Sequence, residues 1–402
     1  MIQHETRVIE QSIQVPYTYP VLFTRDVFHP DNELLAEVCA RDGAARVRKA
    51  LVVVDAGVAQ AYPGLSPAIE AWFAVRGDAL QLTRSPMLVP GGEAIKNDPA
   101  IVDAIHTEID AGGIDRHSYV VVIGGGAVLD MVGYAAATAH RGIRLIRMPT
   151  TILSQNDSGV GVKNSVNKFG KKNFLGTFAP PYAVINDGAL ISKLPDREWR
   201  GGISEAIKVA LLKDAAFFAW IEEHATALRE RDSEAMDWLI YRCAQLHLQH
   251  IATSGDPFEF GSSRPLDFGH WSAHKLEQIS NYAWRHGEAV AIGIALDSTY
   301  AWKMKMLAED EWQRILDVFV AVGLPISAPE LLASLRYGGT SASILSGLNE
   351  FREHLGGELT IMLLEGIGRG VEVHEIDEHI MIDSMHVLKA EHDARTTTGA
   401  MS

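Results

Sequence analysis

The fold of this chain is decided by residues 119–130, which read YVVVIGGGAVLD. Five residues typical of a buried strand run into three glycines, and the pattern that follows is helical. Glycines let a pyrophosphate approach bare backbone amides at a helix N-terminus, where the helix dipole favours negative charge. The stretch therefore predicts a dinucleotide-binding turn, although a tight strand-to-helix turn without a ligand has the same pattern.

Similar short apolar runs occur on both sides of this stretch. Residues 50–54, 145–149 and 183–185 alternate with helical patterns, which is typical of a parallel sheet covered by helices. After about residue 190, amphipathic helical patterns take over, namely 198–213, 236–253, 271–279, 288–306 and 308–322, followed by one late β-prone run at 358–364. We predict an α/β plus α protein with a Rossmann-like parallel-sheet domain over 1–188, a mostly helical metal- and substrate-binding domain over 189–390, and a flexible tail over 391–402.

Composition and charge exclude some classes of partner. The 402 residues carry a formal net charge of −15, and nucleic acids and anionic membranes both require a cationic surface. No apolar run reaches the ~20 residues that cross a bilayer. Cys39 and Cys243 stand far apart in apolar contexts, so we expect two buried free thiols and a cytoplasmic location.

Three glycine-containing motifs in the second half of the chain indicate a metal site. They read GISEAIK at 202–208, LDFGHWSAH at 266–274 and RHGE at 285–288. Glu205, His270 and His286 can hold a divalent ion with one position open for substrate, as a catalytic zinc requires, and cobalt or iron would also suit them. Taken singly, a surface ion pair between Glu205 and Lys208, or a hydrogen-bonded core histidine, is the more ordinary explanation. The combination favours metal binding.

Polar segments near the ends of the predicted strands supply further candidates. The stretch from Pro149 to Asn173 contains glycines and ends in lysines, which suits a phosphorylated ligand, although a solvated basic loop explains the lysines when they are taken alone. Asp55 follows a strand, and Glu93 and Lys96 share one helical face. Carboxylates in such places hold ribose hydroxyls or act as solvated helix caps.

Together these motifs resemble those of the sugar phosphate cyclase superfamily, whose best-known member is 3-dehydroquinate synthase. The similarity runs from about Asp55 to His286 and includes GGGAVLD at 124–130, HRG at 140–142, PTT at 149–151, QNDS at 155–158 and GKKN at 170–173. The resemblance implies zinc or cobalt on Glu205, His270 and His286. It implies that NAD contacts Asp55, Glu93, Lys96, Gly125, Gly126, Asp130, Thr150, Thr151 and Lys172. It implies substrate or catalytic roles for Asp157, Lys163, Asn173, Lys208, Asp267 and His274, and for Arg141 in the partner subunit's site of a homodimer.

The resemblance also implies the reaction of a sugar phosphate. A secondary alcohol gives a hydride to NAD, phosphate leaves by elimination, the hydride returns, and the opened ring closes to a carbocycle. The leaving phosphate can itself take the proton, so no separate base is required beside Lys163 and Lys172. A late phosphate-binding lysine of the family is missing, and we expect His354 or Arg352 to replace it.

The sequence departs from 3-dehydroquinate synthase where that enzyme holds its substrate carboxylate. An ungapped register puts Gln249 and Ser263 at the positions of a lysine and an arginine, with Arg264 one residue out of step, and Asp267 replaces an asparagine. A carboxylate there would repel an anionic substrate group. We therefore predict a carboxylate-free substrate, sedoheptulose 7-phosphate, and, because His274 is retained, a C7 cyclitol of the 2-epi-valiolone type.

Three other hypotheses stay open at this stage. The first is a 3-dehydroquinate synthase with a rebuilt carboxylate pocket. The second is a metal-dependent polyol dehydrogenase, which would release NADH stoichiometrically. The third, a non-catalytic nucleotide-binding module, is disfavoured because a full ligand set accompanies the dinucleotide turn.

Overall fold

The computed structural model describes residues 8–13, 15–43, 46–253, 266–337, 340–354 and 359–399. The strands in these ranges are β1 (Val21–Thr24), β2 (Arg48–Asp55), β3 (Leu80–Leu82), β4 (Met87–Val89), β5 (Tyr119–Gly124), β6 (Arg144–Pro149), β7 (Lys163–Lys168), β8 (Lys171–Phe178), β9 (Ala183–Asp187), β10 (Ile361–Gly366) and β11 (Arg369–Val373). The helices are α1 (Leu34–Ala40), α2 (Ala56–Ala61), α3 (Leu65–Val75), α4 (Pro99–Ala111), α5 (Gly126–Thr138), α6 (Asp196–Gly201), α7 (Ile203–Lys213), α8 (Ala215–Arg229), α9 (Ser233–Thr253), α10 (His270–Ile279), α11 (His286–Lys303), α12 (Glu309–Ala321), α13 (Pro329–Ala333), α14 (Ser346–His354) and α15 (Glu378–Gly399). Short 3₁₀ turns occupy Glu93–Asn97, Ala139–Arg141 and Ser334–Tyr337, and a π-helical turn occupies Ser154–Ser158.

The first half of the chain forms one parallel sheet. Its strand order is β1-β9-β6-β5-β2-β3, and β4 also pairs with β2. Every residue of β5 is buried, because apolar clusters cover both faces: Val121 and Ile123 belong to one cluster, and Val120 and Val122 to the other. The four runs predicted as strands are β2, β5, β6 and β9, so the predicted sheet is confirmed.

The direction in which the sheet is built reverses between β2 and β5. From β2 the chain adds β3 and β4 on one side, and from β5 it adds β6 and then β9 on the other. Ligands of open α/β sheets bind at such a point, outside the carboxyl ends of the strands. Asp55 ends β2 and Gly124 ends β5, and a Cβ on Gly124 would lie 3.3 Å from the Asp55 Cβ. The candidate dinucleotide turn therefore lies at this reversal.

The chain after β9 is mostly helical and packs around one large apolar core. Helix α11 is buried along most of its length, and the antiparallel pair β10–β11 joins the same core, in agreement with the late β-prone run. Cys39 and Cys243 are buried free thiols, as predicted. Within the described ranges, none of the helices combines the length and the apolar character needed to span a membrane.

The structure differs from the sequence-based predictions in three elements. The lysine-containing stretch, for which no strand was predicted, forms the antiparallel hairpin β7–β8. The helix predicted over 198–213 is divided at Gly202, where a Cβ would lie 2.4 Å from the side chain of Ile152. Residues 391–399, expected to form a flexible tail, continue α15, because Arg395 pairs with Asp317 and with Glu391 on the same helix.

Candidate metal and dinucleotide site

The three predicted metal ligands converge from three helices. Glu205, His270 and His286 lie in the first turns of α7, α10 and α11. Glu205 Oε1 is 3.6 Å from His270 Nε2 and 3.5 Å from His286 Nε2, and one ligand atom of each residue lies within 4.8 Å of the others. Two atoms that bind one zinc ion at about 2.1 Å in tetrahedral geometry are about 3.4 Å apart. The spacing therefore fits a single divalent ion.

The charges in this cluster also suit a cation. Glu205 is fully buried, and neither of its carboxylate oxygens accepts a hydrogen bond of ordinary geometry from a described residue, although Lys208 Nζ contacts Oε2. Desolvation lowers the pKa of His270 to about 4, and the Lys208 charge adds to this effect. Desolvation also acts to lower the pKa of His286, but Glu205 and Glu277 outweigh it and raise the value to about 10. Because a buried carboxylate is costly without a full partner, the geometry favours a bound ion beside Oε1.

Glycines allow the ligand-bearing helices to approach one another. A Cβ on Gly287 would lie 2.0 Å from the carbonyl oxygen of Gly201, just before α7. A Cβ on Gly293 of α11 would lie 2.1 Å from the carbonyl oxygen of Gly269, which itself has a left-handed backbone with φ 77°. Any side chain at these positions would separate the helices. The glycine in each histidine motif therefore has a packing role.

Asp297 on α11 fixes the turn that precedes His270. Its Oδ2 accepts a hydrogen bond from Gly269 N at 3.1 Å, and its Oδ1 accepts one from Trp271 Nε1 at 2.9 Å. Desolvation raises the pKa of Asp297 to about 7 in spite of these two bonds. Asp297 was not predicted from the sequence, where its only signal is a carboxylate directly after the apolar run 289–296 of α11.

Lys208 and Asp157 place a second set of charges beside the ligands. Lys208 is buried, and its pKa is raised because Glu205, Asp157 and Asp267 outweigh the cost of desolvation. Asp157 Oδ1, in the π-helical turn, lies 2.8 Å from His247 Nδ1. Desolvation acts against the charged form of Asp157, but His247 and Lys208 outweigh it and lower the pKa. The ammonium group of Lys208 and the carboxylate of Asp157 thus lie near enough to influence each other's pKa, and together they can donate to and accept from a substrate oxygen.

His247 is a candidate site residue that the sequence analysis missed. The ungapped register, counted across residues 254–265, assigned Gln249 to the position of a substrate-binding lysine of the family. Gln249 is exposed on α9, whereas His247, two residues earlier, faces Asp157. Loop lengths vary, so a count that crosses a loop does not preserve register. Ser263 and Arg264 lie outside the described residues.

The glycine turn after β5 leaves little room for side chains. A Cβ on Gly126 would lie 2.9 Å from Ser158 Oγ, and a Cβ on Gly125 would lie 3.4 Å from Thr151 Cγ2. Thr150 is buried directly after β6, and its backbone N donates to Gly124 O at 3.0 Å. Bare backbone at the start of α5 next to hydroxyl groups suits a pyrophosphate.

A polar cluster flanks this turn. Lys96 Nζ donates to Asp130 Oδ2 at 2.8 Å and contacts Asn173 Oδ1, which also accepts from Ser165 Oγ at 2.8 Å. Lys96 and Asp130 are therefore brought together as the resemblance implies for cofactor contacts. The side chain of Asn173, expected to contact substrate, belongs to the same cluster, and its role stays a prediction.

The two carboxylates proposed for ribose differ in exposure. Asp55 Oδ1 accepts from Gly57 N at 2.8 Å and caps α2, but the residue is 9% exposed, so it is not a solvated cap. A Cβ on Gly91 would lie 2.5 Å from the same oxygen, which shows how closely the neighbouring turn approaches it. Glu93 is exposed at the start of its 3₁₀ turn.

The hairpin β7–β8 reaches from the sheet toward the ligand-bearing helices. Lys163 is exposed as the first residue of β7, and its carbonyl oxygen accepts from Arg147 Nη2 at 2.7 Å. Lys172 Nζ, on β8, lies 3.8 Å from Glu277 Oε2 on α10 and 5.2 Å from the ring centre of Tyr282. The structure thus places Lys172 against the helical half of the chain.

The other residues predicted to contact substrate do not all lie beside the metal ligands. The His274 ring lies 5.4 Å from the His270 ring and 5.9 Å from the His286 ring. Asp267 O accepts from His270 N at 3.0 Å. Arg141 is exposed, with φ 63°, just before β6 and therefore at the sheet edge opposite the dinucleotide turn. Its expected role in the partner subunit's site stays a prediction, and the side chain of His354 is outside the described part of the chain.

Comparisons with known proteins place the chain in the 3-dehydroquinate synthase family. The family models for the N-terminal and C-terminal parts of 3-dehydroquinate synthase match residues 86–201 and 202–338. The 3-dehydroquinate synthase of Shewanella frigidimarina is 33% identical over 376 residues, covering 92% of this chain and 98% of that protein. The enzyme of Nitrosospira multiformis is 37% identical over 302 residues, covering 74% of this chain and 79% of that protein. The chain belongs to this family, as the motifs predicted.

Solved structures of two other cyclases have a similar fold. ValA, the 2-epi-5-epi-valiolone synthase of Streptomyces hygroscopicus, was solved with NAD+ and Zn2+ bound. It has a TM-score of 0.82 and 28% sequence identity, covering 95% of this chain and all of that one. A 2-deoxy-scyllo-inosose synthase, at 20% identity and a TM-score of 0.71 over 91% of this chain and 95% of that one, shares the fold.

Proposed function

We propose that this chain is a sugar phosphate cyclase that eliminates phosphate from a seven-carbon sugar phosphate and closes a carbocycle, with NAD and a divalent metal ion as cofactors. The observation that carries the proposal is the convergence of Glu205, His270 and His286 beside the buried ammonium of Lys208. When bound, NAD accepts and returns a hydride, and the metal ion polarises an alcohol or carbonyl oxygen. ValA, with a similar fold, binds both kinds of cofactor.

The chain's own residues have separate tasks in this scheme. The glycine turn, with Lys96 and Asp130, would hold the dinucleotide where the sheet reverses direction. Lys208 stays protonated because its pKa is raised, so it can donate a hydrogen bond to a substrate oxygen. Asp157 stays ionised beside His247 and can accept one.

The phosphate group of the substrate would bind beside the hairpin β7–β8. Lys163 and Lys172 both belong to β7–β8, and a cationic group there would work against the overall charge of −15. Since the departing phosphate can take the proton next to the new ketone, Lys163 need only bind and orient it. A homodimer belongs to the same proposal. Arg141 precedes β6, so it lies at the opposite end of this strand from the dinucleotide turn of its own subunit, and it would act in the partner subunit's site.

Two seven-carbon substrates are compatible with this chemistry. The names of the curated relatives favour the carboxylated heptulosonate phosphate, and hence 3-dehydroquinate synthase activity. One observation favours sedoheptulose 7-phosphate as the second candidate: the Asp267 carboxylate acts on Lys208, so it lies close enough to the site to repel a carboxylate of the substrate. A substrate without a carboxylate avoids that repulsion.

The test is to incubate the zinc-loaded protein with NAD and each seven-carbon phosphate separately. We expect release of inorganic phosphate with a constant, low NADH absorbance, because the hydride is returned in each turnover. Release from the carboxylated substrate alone supports 3-dehydroquinate synthase activity, and release from sedoheptulose 7-phosphate alone supports the cyclitol synthase. NADH that accumulates without phosphate would contradict the proposal and indicate a dehydrogenase. The Glu205→Gln variant serves as the inactive control.

A further inference from the structure

Glu277 has no role in the reaction described so far, yet it contacts both halves of the site. It is buried on α10, two helical turns after His270. Its Oε1 lies 3.6 Å from His286 Nδ1, and its Oε2 lies 3.8 Å from Lys172 Nζ. One carboxylate therefore touches a proposed metal ligand and a lysine of the hairpin β7–β8.

The same carboxylate could in principle belong to a second metal site, because ligand atoms of His274, Glu277 and His286 also lie within 4.8 Å of one another. The surroundings argue against this alternative. The ammonium group of Lys172 lies 3.8 Å from Oε2, and a divalent ion at His286 would itself repel a second cation bound to the same imidazole. His286 faces Glu205 with Nε2, which leaves Nδ1–H to donate toward Glu277. A histidine that binds metal with one nitrogen commonly donates the other N–H to a carboxylate.

The Lys172 contact links this carboxylate to the dinucleotide turn. Asn173, the next residue along β8, contacts Lys96, which in turn donates to Asp130 in the first turns of α5. A short chain of polar contacts thus runs from His286 through Glu277 and the hairpin to the predicted dinucleotide site. A metal ion that fixes His286 at one end of this chain of contacts therefore also restricts the side chains near the dinucleotide site at the other end, which couples the two binding events.

We infer that Glu277 is a positioning residue that orients the His286 imidazole for metal binding and, through Lys172, couples metal binding to dinucleotide binding. The inference rests on the proposed function only in taking a divalent ion and NAD as the ligands. Its consequence is that zinc should tighten NAD binding in the intact protein, and NAD should tighten zinc binding by the same factor.

The test uses the full chain with Glu277→Gln and Glu277→Ala, and with Gln278→Ala as the matched control at the neighbouring exposed position. Zinc affinity is measured by competition with a chromophoric chelator, and zinc content by elemental analysis. Loss of an outer partner of a metal-bound histidine typically weakens metal binding by about 10- to 100-fold. We expect a loss in that range for alanine, a smaller loss for glutamine, no change for Gln278→Ala, and one zinc per chain in every protein.

A second measurement tests the coupling. NAD affinity is determined with and without zinc, and the enhancement by zinc should be present in the natural chain, reduced in Glu277→Gln and lost in Glu277→Ala. Zinc affinity within twofold of the natural value in both Glu277 variants would overturn the inference. A fall from two zinc ions per chain to one in Glu277→Gln would also overturn it, because Glu277 would then be a ligand. Glutamine is nearly isosteric with glutamate, so the result does not depend on whether the alanine variant folds.

These binding measurements are independent of turnover. A protein that binds zinc and NAD as expected but releases no phosphate from either substrate would end the proposed function and leave the role of Glu277 standing. Unchanged zinc affinity in the Glu277 variants, with phosphate release intact, would overturn the role of Glu277 and leave the proposed function standing.

Discussion

Replacing Gly287 with alanine tests whether close packing between the end of α6 and the start of α11 sets the metal site. The new Cβ would lie 2.0 Å from the carbonyl oxygen of Gly201 and 2.5 Å from its carbonyl carbon. Non-bonded heavy atoms pack at about 3.5 Å, so the start of α11 must move away from Gly201 by on the order of 1 Å. His286 precedes Gly287 directly and would move with it, away from Glu205.

The size of this movement decides the expected effect. Zinc–nitrogen distances in working sites stay within about 0.2 Å of 2.0–2.1 Å, so a shift of about 1 Å is several times the tolerance. We expect zinc binding to weaken by at least about 10- to 100-fold. Stability should change less, because alanine in place of glycine favours a helix by about 1 kcal/mol while overpacking costs about 1–3 kcal/mol.

The assay compares chelator competition for zinc with thermal unfolding of the metal-free protein. Gly64→Ala is the matched control, since a Cβ there meets no atom within 4 Å and the backbone φ is −81°. The control should bind zinc like the natural chain. Natural zinc affinity in the Gly287 variant would refute the argument that this contact holds His286 in place.

The remaining predictions concern the phosphate, the supporting carboxylate and the substrate. Lys163→Ala should abolish phosphate release while circular dichroism stays unchanged, and undiminished turnover would remove this lysine from the site. Asp297 has its pKa raised from 3.8 to about 7, so the folded state binds this proton more tightly than the unfolded chain does. Its contribution to stability is therefore complete below about pH 4 and is lost as the pH rises to about 7, by on the order of 4 kcal/mol for roughly three pKa units. Over the same range the lowered pKa of His270 acts in the opposite direction, so the decline appears as the difference between the natural chain and Asp297→Asn. Denaturant unfolding of both metal-free proteins from pH 4 to 8 should show this difference, and parallel curves would contradict the assignment. Asp267→Asn should raise activity on the carboxylated substrate relative to sedoheptulose 7-phosphate; equal, high activity of the natural chain on both would defeat the charge argument.

The parts of the fold that were predictable have a local cause in the sequence. Strands β2, β5 and β9 contain continuous apolar runs, and the run in β6 is interrupted only by the buried Arg147. Both faces of the sheet are covered, so each of these segments shows its burial in its own composition. The hairpin β7–β8 escaped prediction because its residues are largely polar and exposed, and its strands are defined by pairing with each other. Residues 391–399 continue a helix through contacts of Arg395 with Asp317 on α12, which no local pattern reveals.

The residues of the candidate site also fall into a group that the sequence predicted and a group that it did not. Glu205, His270 and His286 were identified because each belongs to a motif with its own glycine, and the structure brings them to one point. His247 and Asp297 were missed because each acts on a residue far away in the chain: His247 on Asp157, and Asp297 on Gly269. A single sequence shows the residues that bind a ligand more readily than the residues that hold them in place.

The most direct test of the account is a crystal structure of the protein grown with zinc and NAD, with anomalous diffraction collected at the zinc edge. We expect one anomalous peak per chain, about 2.0–2.2 Å from a carboxylate oxygen of Glu205 and from Nε2 of both His270 and His286. We also expect the dinucleotide at the glycine turn after β5. A zinc peak bound by other residues, or none at the Glu205 cluster in a crystal that contains zinc, would contradict the central claim.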